Sequence, residues 1–106
     1  MLQYLRSTNS DSVISQQENL RSGSWVRCER PSDEEVSQLL TLGLDEDLIS
    51  DALDPHEVPR IEFDDEWTYL IARLPDTDDD FNDFTTPILF CINKDHIVTL
   101  SRDSLG

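Results

Sequence analysis

Three groups of residues in this chain carry side chains capable of chemistry. The first is a set of carboxylates, Glu46, Asp47, Asp51 and Asp54, which with Ser50 occupy the helix face opposite Leu48, Ile49, Ala52 and Leu53. Carboxylates gathered on one face raise a negative potential that concentrates cations, and without a partner they serve solubility. The second is Asp76-Thr77-Asp78-Asp79-Asp80-Phe81-Asn82, where oxygen side chains recur at alternate positions as in a calcium-binding EF-hand loop. That reading fails on chemistry: Phe81 stands where the turn needs Gly, Pro87 stands where a bidentate Glu is needed, and a strand pattern follows instead of a helix. The acids of this loop are expected to keep it solvated. The third group is Cys28, Cys91, His56 and His96. The histidines fit neither an HxxxH nor an HExxH spacing for zinc. The cysteines lie in apolar strand-like runs without CxxC spacing, so buried free thiols in a reducing compartment are expected, not a disulfide or a nucleophile. No enzymatic activity is expected.

Composition sharpens this. A chain of 106 residues has room for one core, and 37% hydrophobic with 29% charged residues fits a globular domain. A net charge of -15 disfavours nucleic acid as a ligand, because clustered Lys and Arg are what release counterions from phosphate. Cations or basic partners suit such a chain better. The acidity is local: residues 1–32 hold four Arg against three acids, while residues 33–66 hold thirteen acids against Arg60 alone. Arg60 is therefore expected to pair with neighbouring carboxylates. Met1 to Leu5 is too short for the apolar part of a secretory leader, and no run approaches the ~20 apolar residues of a membrane span.

The elements that must position these residues are legible in outline. Met1 to Leu5 alternates as a first strand, Val13 and Ile14 suggest a short return strand, and Gln16 to Ser24 reads as a connector. Ser24 to Glu29 is a strand with Trp25 facing away from Val26 and Cys28. Ser32 and Glu35 form a capping box for a helix near 33–42, with Val36, Leu39 and Leu40 as its buried stripe and Gly43 as its stop. Asp45 caps a second helix near 45–54, with Leu44 and Ile49 placed as a hydrophobic staple and Pro55 and Pro59 beyond its end. Ile61 to Phe63 alternates, Asp64-Asp65-Glu66 turns, and Trp67 to Leu74 is apolar on both faces. Pro75 to Asp83 is a loop by composition, Thr85 to Ile92 is a second two-sided strand, and His96 to Ser101 pairs back through Asn93-Lys94-Asp95. The fold expected is α+β, a mixed and largely antiparallel sheet with both helices on one face. Two helices leave the other face bare for later helices or another copy.

Gly43-Leu44-Asp45, Leu48-Ile49-Ser50-Asp51-Ala52-Leu53-Asp54 and Glu57-Val58-Pro59-Arg60-Ile61-Glu62 together resemble the amino-terminal cytoplasmic domain of CorA-type magnesium and cobalt transporters. The likeness extends to Ser24-Trp25-Val26 and Pro31-Ser32-Asp33-Glu34-Glu35 upstream, and to Ile97-Val98-Thr99-Leu100-Ser101-Arg102 downstream. Order and spacing of several weak pieces carry it. The family's Gly-Met-Asn triplet has no counterpart here.

The resemblance implies that residues 1–106 are a fragment of a regulatory, ion-sensing domain, part of an α/β/α sandwich, on the cytoplasmic face of the membrane. It implies a homo-oligomer, pentameric at full length, joined to the membrane through C-terminal helices outside this sequence. It also implies that Asp51 matches a carboxylate facing the stalk helix of a neighbouring subunit, where magnesium, which keeps several waters, is held by one or two carboxylates. The isolated domain would bind magnesium weakly or not at all. An alternative from a different class is a stand-alone acidic module that docks on a basic protein surface.

Overall fold

A computed structural model describes residues 1–6, 15–17, 24–77, 80 and 83–103. Strands β1 (Leu2–Arg6), β2 (Ser15–Gln17) and β3 (Ser24–Glu29) precede helices α1 (Asp33–Leu40) and α2 (Glu46–Ala52). Four strands follow: β4 (Arg60–Phe63), β5 (Thr68–Thr77), β6 (Asp83–Ile92) and β7 (His96–Ser101). They form one seven-stranded sheet in the order β2-β1-β3-β7-β6-β5-β4. Every pairing is antiparallel except β3 with β7, which run parallel in the register Val26↔Val98 and Cys28↔Leu100.

Both helix starts form as their sequences dictate. Ser32 accepts from the Glu35 amide while the Glu35 carboxylate accepts from the Ser32 amide, and three acids stand in the first turn at the positive end of the helix dipole. Asp45 accepts from the Leu48 amide, and Leu44 and Ile49 are both buried in the core. Beyond α1, Gly43 takes φ +90, a conformation that favours glycine. A Cβ there would lie 3.3 Å from Glu66 Oε2 and 3.7 Å from Trp67 Nε1, so this turn brings the helical segment against the β4–β5 turn.

Register assigns each strand residue to a face. Val26 and Cys28, Val98 and Leu100, Leu89 and Cys91, and Tyr69 and Ile71 lie opposite one another across four strands. All are buried together with Leu39, Leu44, Leu48, Ile49 and Ala52, which places both helices on that face. The opposite face carries Trp25, Leu70, Phe90, Ile92, Ile97, Ile61 and Phe63. Nothing in the described chain covers it, and Phe63 is 75% exposed. The two-sided apolar pattern of Trp67 to Leu74 and of Ile88 to Ile92 thus describes a sheet apolar on both faces and covered on one.

Three expectations are corrected. Gln16 and Gln17, read as the start of a connector, form with Ser15 an edge strand in register with Tyr4, Leu5 and Arg6. Its polar sequence gives no period, and backbone pairing to β1 alone defines it. Val13 and Ile14 lie outside the described residues. The segment from Pro75 to Asp83 is shorter as a loop than its composition indicates, because the β5–β6 ladder continues through Pro75↔Thr85 to Thr77↔Asp83. Cross-strand hydrogen bonding there overrides a polar, proline-containing sequence. Finally, both helices end two residues early, at Leu40 and Ala52. Pro87, inside β6, is tolerated because the β6–β7 register stops at Ile88↔Ser101, so its missing N–H removes nothing from that ladder.

Leu89 lies at the centre of this core, fully buried between Ile71 and Leu100. Leu89→Ala is expected to lower the unfolding free energy by about 2–5 kcal/mol, measured by urea denaturation followed by far-UV circular dichroism.

Candidate functional site

The residues singled out in the sequence converge at the carboxyl end of α2. Asp51 sits on the outward side of α2 with its side chain 41% exposed, and its Oδ2 accepts from Arg60 Nη2 at 2.5 Å. The same guanidinium donates to Glu57 Oε1 through Nη1 and to Glu62 Oε1 through Nε at 3.2 Å. One cation therefore serves a helix, the α2–β4 connection and a strand at once. Pairing with Asp51 first, then with Glu57 and Glu62, pushes the guanidinium still further above its ordinary range. The expectation that Arg60 pairs with its acidic neighbours is met. Glu46, Asp47 and Asp54 are exposed on the same helical segment.

The frame that holds this cluster was not legible. Arg73 donates to the carbonyls of Glu57 at 2.8 Å and Pro55 at 3.0 Å, and to Thr85 Oγ1 at 2.7 Å. It thereby ties the α2–β4 connection to β5 and β6. At the other end of α2, the buried Tyr69 hydroxyl accepts from the Asp45 amide at 3.0 Å and donates to Asp64 Oδ2 at 2.8 Å. Asp64 Oδ1 also accepts from the amides of Glu66 and Trp67. Burial pushes the Asp64 carboxyl up, but the amides of Trp67 and Glu66 and the Tyr69 hydroxyl together hold it below the usual carboxylate range. Burial and the Asp64 bond also push the Tyr69 phenol well up. The one sequence signal was Asp64 itself, an Asx residue opening the turn before Trp67.

The remaining candidates stay apart. Cys28 and Cys91 are buried free thiols on the helix-covered face, and burial pushes their pKa values up to about 11 and about 12. His56 is exposed in the α2–β4 connection, while His96 opens β7 with a buried, unpartnered Nδ1. Among the described residues no group of three or more His, Cys, Asp or Glu side chains could hold a metal ion. Asp78, Asp79, Phe81 and Asn82 of the rejected calcium loop lie outside the described residues. On the bare sheet face, Arg27 pairs with the buried Glu29 at 2.6 Å and Trp25 Nε1 donates to Thr99 Oγ1 at 2.8 Å. These bonds satisfy the polar groups embedded in that apolar surface.

This sheet, with an acidic helix on one side and an open apolar face on the other, has the fold of the soluble domain of a metal-ion transporter. It superposes on the soluble domain of CorA from Methanocaldococcus jannaschii with a TM-score of 0.78 at 22% identity, covering 98% of this chain and 41% of that one. It superposes on the complete CorA magnesium transporter of the same organism with a TM-score of 0.75 at 22% identity, covering 99% and 33%. For the full-length CmaX protein the values are 0.63 and 16%, covering 99% and 35%. In sequence, a cobalt/magnesium transport protein CorA of M. jannaschii is 28% identical over 82 residues, 76% of this chain and 25% of that protein. A family model described as CorA-like Mg2+ transporter protein matches residues 21–106. The chain belongs to the CorA-like Mg2+ transporter family. It spans about a quarter of the length of the curated relative it matches, and no helix among its described residues is long and apolar enough to cross a membrane.

Tyr69→Phe removes a hydroxyl that joins the α2 N-terminus to the β4–β5 turn and is expected to cost about 1–2 kcal/mol. Asp64 is held below its ordinary pKa, so the stability it contributes is present above its unfolded value and is lost as pH falls through the folded one. In Tyr69→Phe that acid-side loss should move to higher pH, read from the Asp64 carboxyl carbon shift in an NMR titration and from urea midpoints over the same range.

Proposed function

We propose that this chain is the amino-terminal cytoplasmic regulatory domain of a CorA-like divalent-cation transport protein, acting without catalytic chemistry. The observation that carries this reading is the family match across residues 21–106 on the fold of a CorA soluble domain. The placement of Asp51 supports its finer part: α2 packs Leu48, Ile49 and Ala52 into the core, and the Asp51 carboxylate on its outward side reaches solvent near the α2–β4 connection, where a neighbouring subunit could approach.

The described residues of this chain offer the outward Asp51 carboxylate on α2 and no complete set of metal ligands around it. That carboxylate already has a guanidinium partner, and no set of three ligand side chains converges among the described residues. A magnesium ion loses its waters reluctantly and needs more than one carboxylate to be held in place. What this domain would supply is therefore one carboxylate within a strongly negative surface, and the remaining ligands would come from a second copy of the chain. Acidic surfaces on adjacent copies repel, which makes their association sensitive to divalent cations.

In the full-length protein, Asp51→Ala should weaken magnesium-dependent protection against proteolysis several-fold, whereas Asp47→Ala and Asp54→Ala remove the same charge nearby and should leave it close to wild type. Equal effects from all three would reduce the site to diffuse screening. The open sheet face gives a separate expectation: the 106-residue chain should self-associate, with apparent mass in light scattering rising with concentration, and Phe63→Lys should suppress the rise. A wild-type chain that stays monomeric at high concentration would count against an interface on this face.

A further inference from the structure

Arg60 is the only base among the acids of residues 33–66, and its guanidinium touches the one carboxylate on which the cation reading depends. We infer that Arg60 is a tethered counter-cation for Asp51: its guanidinium stands where an incoming divalent cation must bind, so that ion and side chain compete for the carboxylate. The inference rests on the reading of Asp51 as cation-facing and adds the element that sets how readily it can respond.

Three observations carry it. The Arg60 side chain is 26% exposed, half-buried between carboxylates, and Nη1, Nη2 and Nε each meet a different one: Glu57, Asp51 and Glu62. A planar fork whose donors point in several directions spans three separated acceptors, a wider reach than that of a compact ammonium. Its position is also built. Arg73 clamps the carbonyls of Pro55 and Glu57, and the Arg60↔Ile71 and Glu62↔Tyr69 pairings fix β4 on the edge of the sheet. Lastly, each contact can be relinquished without unfolding. Asp51 and Glu62 reach solvent, so a cation can approach Asp51 while Arg60 falls back on Glu57, its most buried partner. Removing Arg60 would leave the carboxylate on α2 uncompensated and open to an ion. Arg60 is in this sense a positioning residue, acting on the cation through Asp51.

Mn2+ titrated into the full-length protein, in which a neighbouring subunit can complete the site, with the free ion counted from its electron paramagnetic resonance signal, tests this directly. Arg60→Met keeps the aliphatic stem and removes the charge. It should bind Mn2+ about two- to fivefold more tightly than wild type, the range set by partly exposed ion pairs. The gain should disappear in Arg60→Met/Asp51→Asn. Arg102→Met deletes the same charge at an exposed residue remote in sequence, paired with Asp103 at 3.5 Å, and should show a smaller gain. Should Arg60→Met lose its folded circular dichroism spectrum, Arg60→Lys replaces it. A single ammonium should give a gain of the same sign, smaller and still dependent on Asp51. If Asp51→Asn weakens binding in the wild type while neither Arg60 variant strengthens it, competition by Arg60 is overturned and the cation reading stands. If Asp51→Asn changes nothing in any background, the cation reading falls and this inference falls with it. A gain in Arg60→Met no larger than in Arg102→Met also overturns the inference, since the effect is then net charge alone.

Discussion

The parallel pairing of β3 with β7 is the constraint on which the rest of the structure depends. It is the one seam joining the β2-β1-β3 half of the sheet to the β7-β6-β5-β4 half. Between its two strands the chain makes both helices and three further strands, so the ladder closes only when all of them are in place. Closing so long a loop is costly in chain entropy, and the return is the continuous apolar strip from Val26 and Cys28 through Val98, Leu100, Leu89 and Cys91 to Tyr69 and Ile71. The helices are the lid of that strip. Without the seam, Leu39, Leu48 and Ile49 would have half a surface to cover.

The acidity of the middle of the chain becomes intelligible against this frame. The helices sit on the outside of the sheet and their apolar stripes point inward, so their carboxylates are left on the surface. Repulsion among them is relieved by hydrogen bonding at defined points and not by a general balance of charge. Glu35 accepts from the Ser32 amide, which holds its carboxyl below the usual range; Asp45 accepts from an amide in its cap; Asp64 is held by two amides and a phenol. Asp51 and Glu62 pair with one guanidinium, and Glu57 with the same guanidinium and the Val58 amide. Arg60 is for that reason the point at which the electrostatics of this surface can change with the least rearrangement.

The two faces of the sheet differ in how they are covered. One is closed by this chain's own helices. The other presents Phe63, Ile61, Ile92 and Ile97 to solvent, with the Arg27–Glu29 pair and the Trp25–Thr99 bond set among apolar neighbours. Embedded polar groups that already have partners can be buried under another layer at little cost, whereas unpaired ones could not. Another layer could cover this surface without stranding those polar groups, and the CorA chains on which this one superposes are more than twice as long.

The sequence by itself determined what is local or strictly periodic. The capping box at Ser32 and Glu35, the Asp45 cap with its Leu44 and Ile49 staple, the α+β class and the facing of Trp25 away from Val26 follow from spacing over a few residues. The two-sided strands announced a face left open, because continuous apolar runs suit a sheet covered on both sides and the two helices cover only one. Tertiary structure alone decided the rest. Ser15–Gln17 became a strand through backbone pairing to β1, which its side chains do not encode. Pro75 to Thr77 and Asp83 joined the long hairpin because the ladder before them was already aligned. That Arg60 would choose Asp51, nine residues away, and that Tyr69 would bridge Asp45 to Asp64, depended on where α2 comes to rest against β4 and β5. Side-chain bonds between separate elements are fixed by the packing of those elements. Packing is a property of the whole core, and no window of sequence contains it.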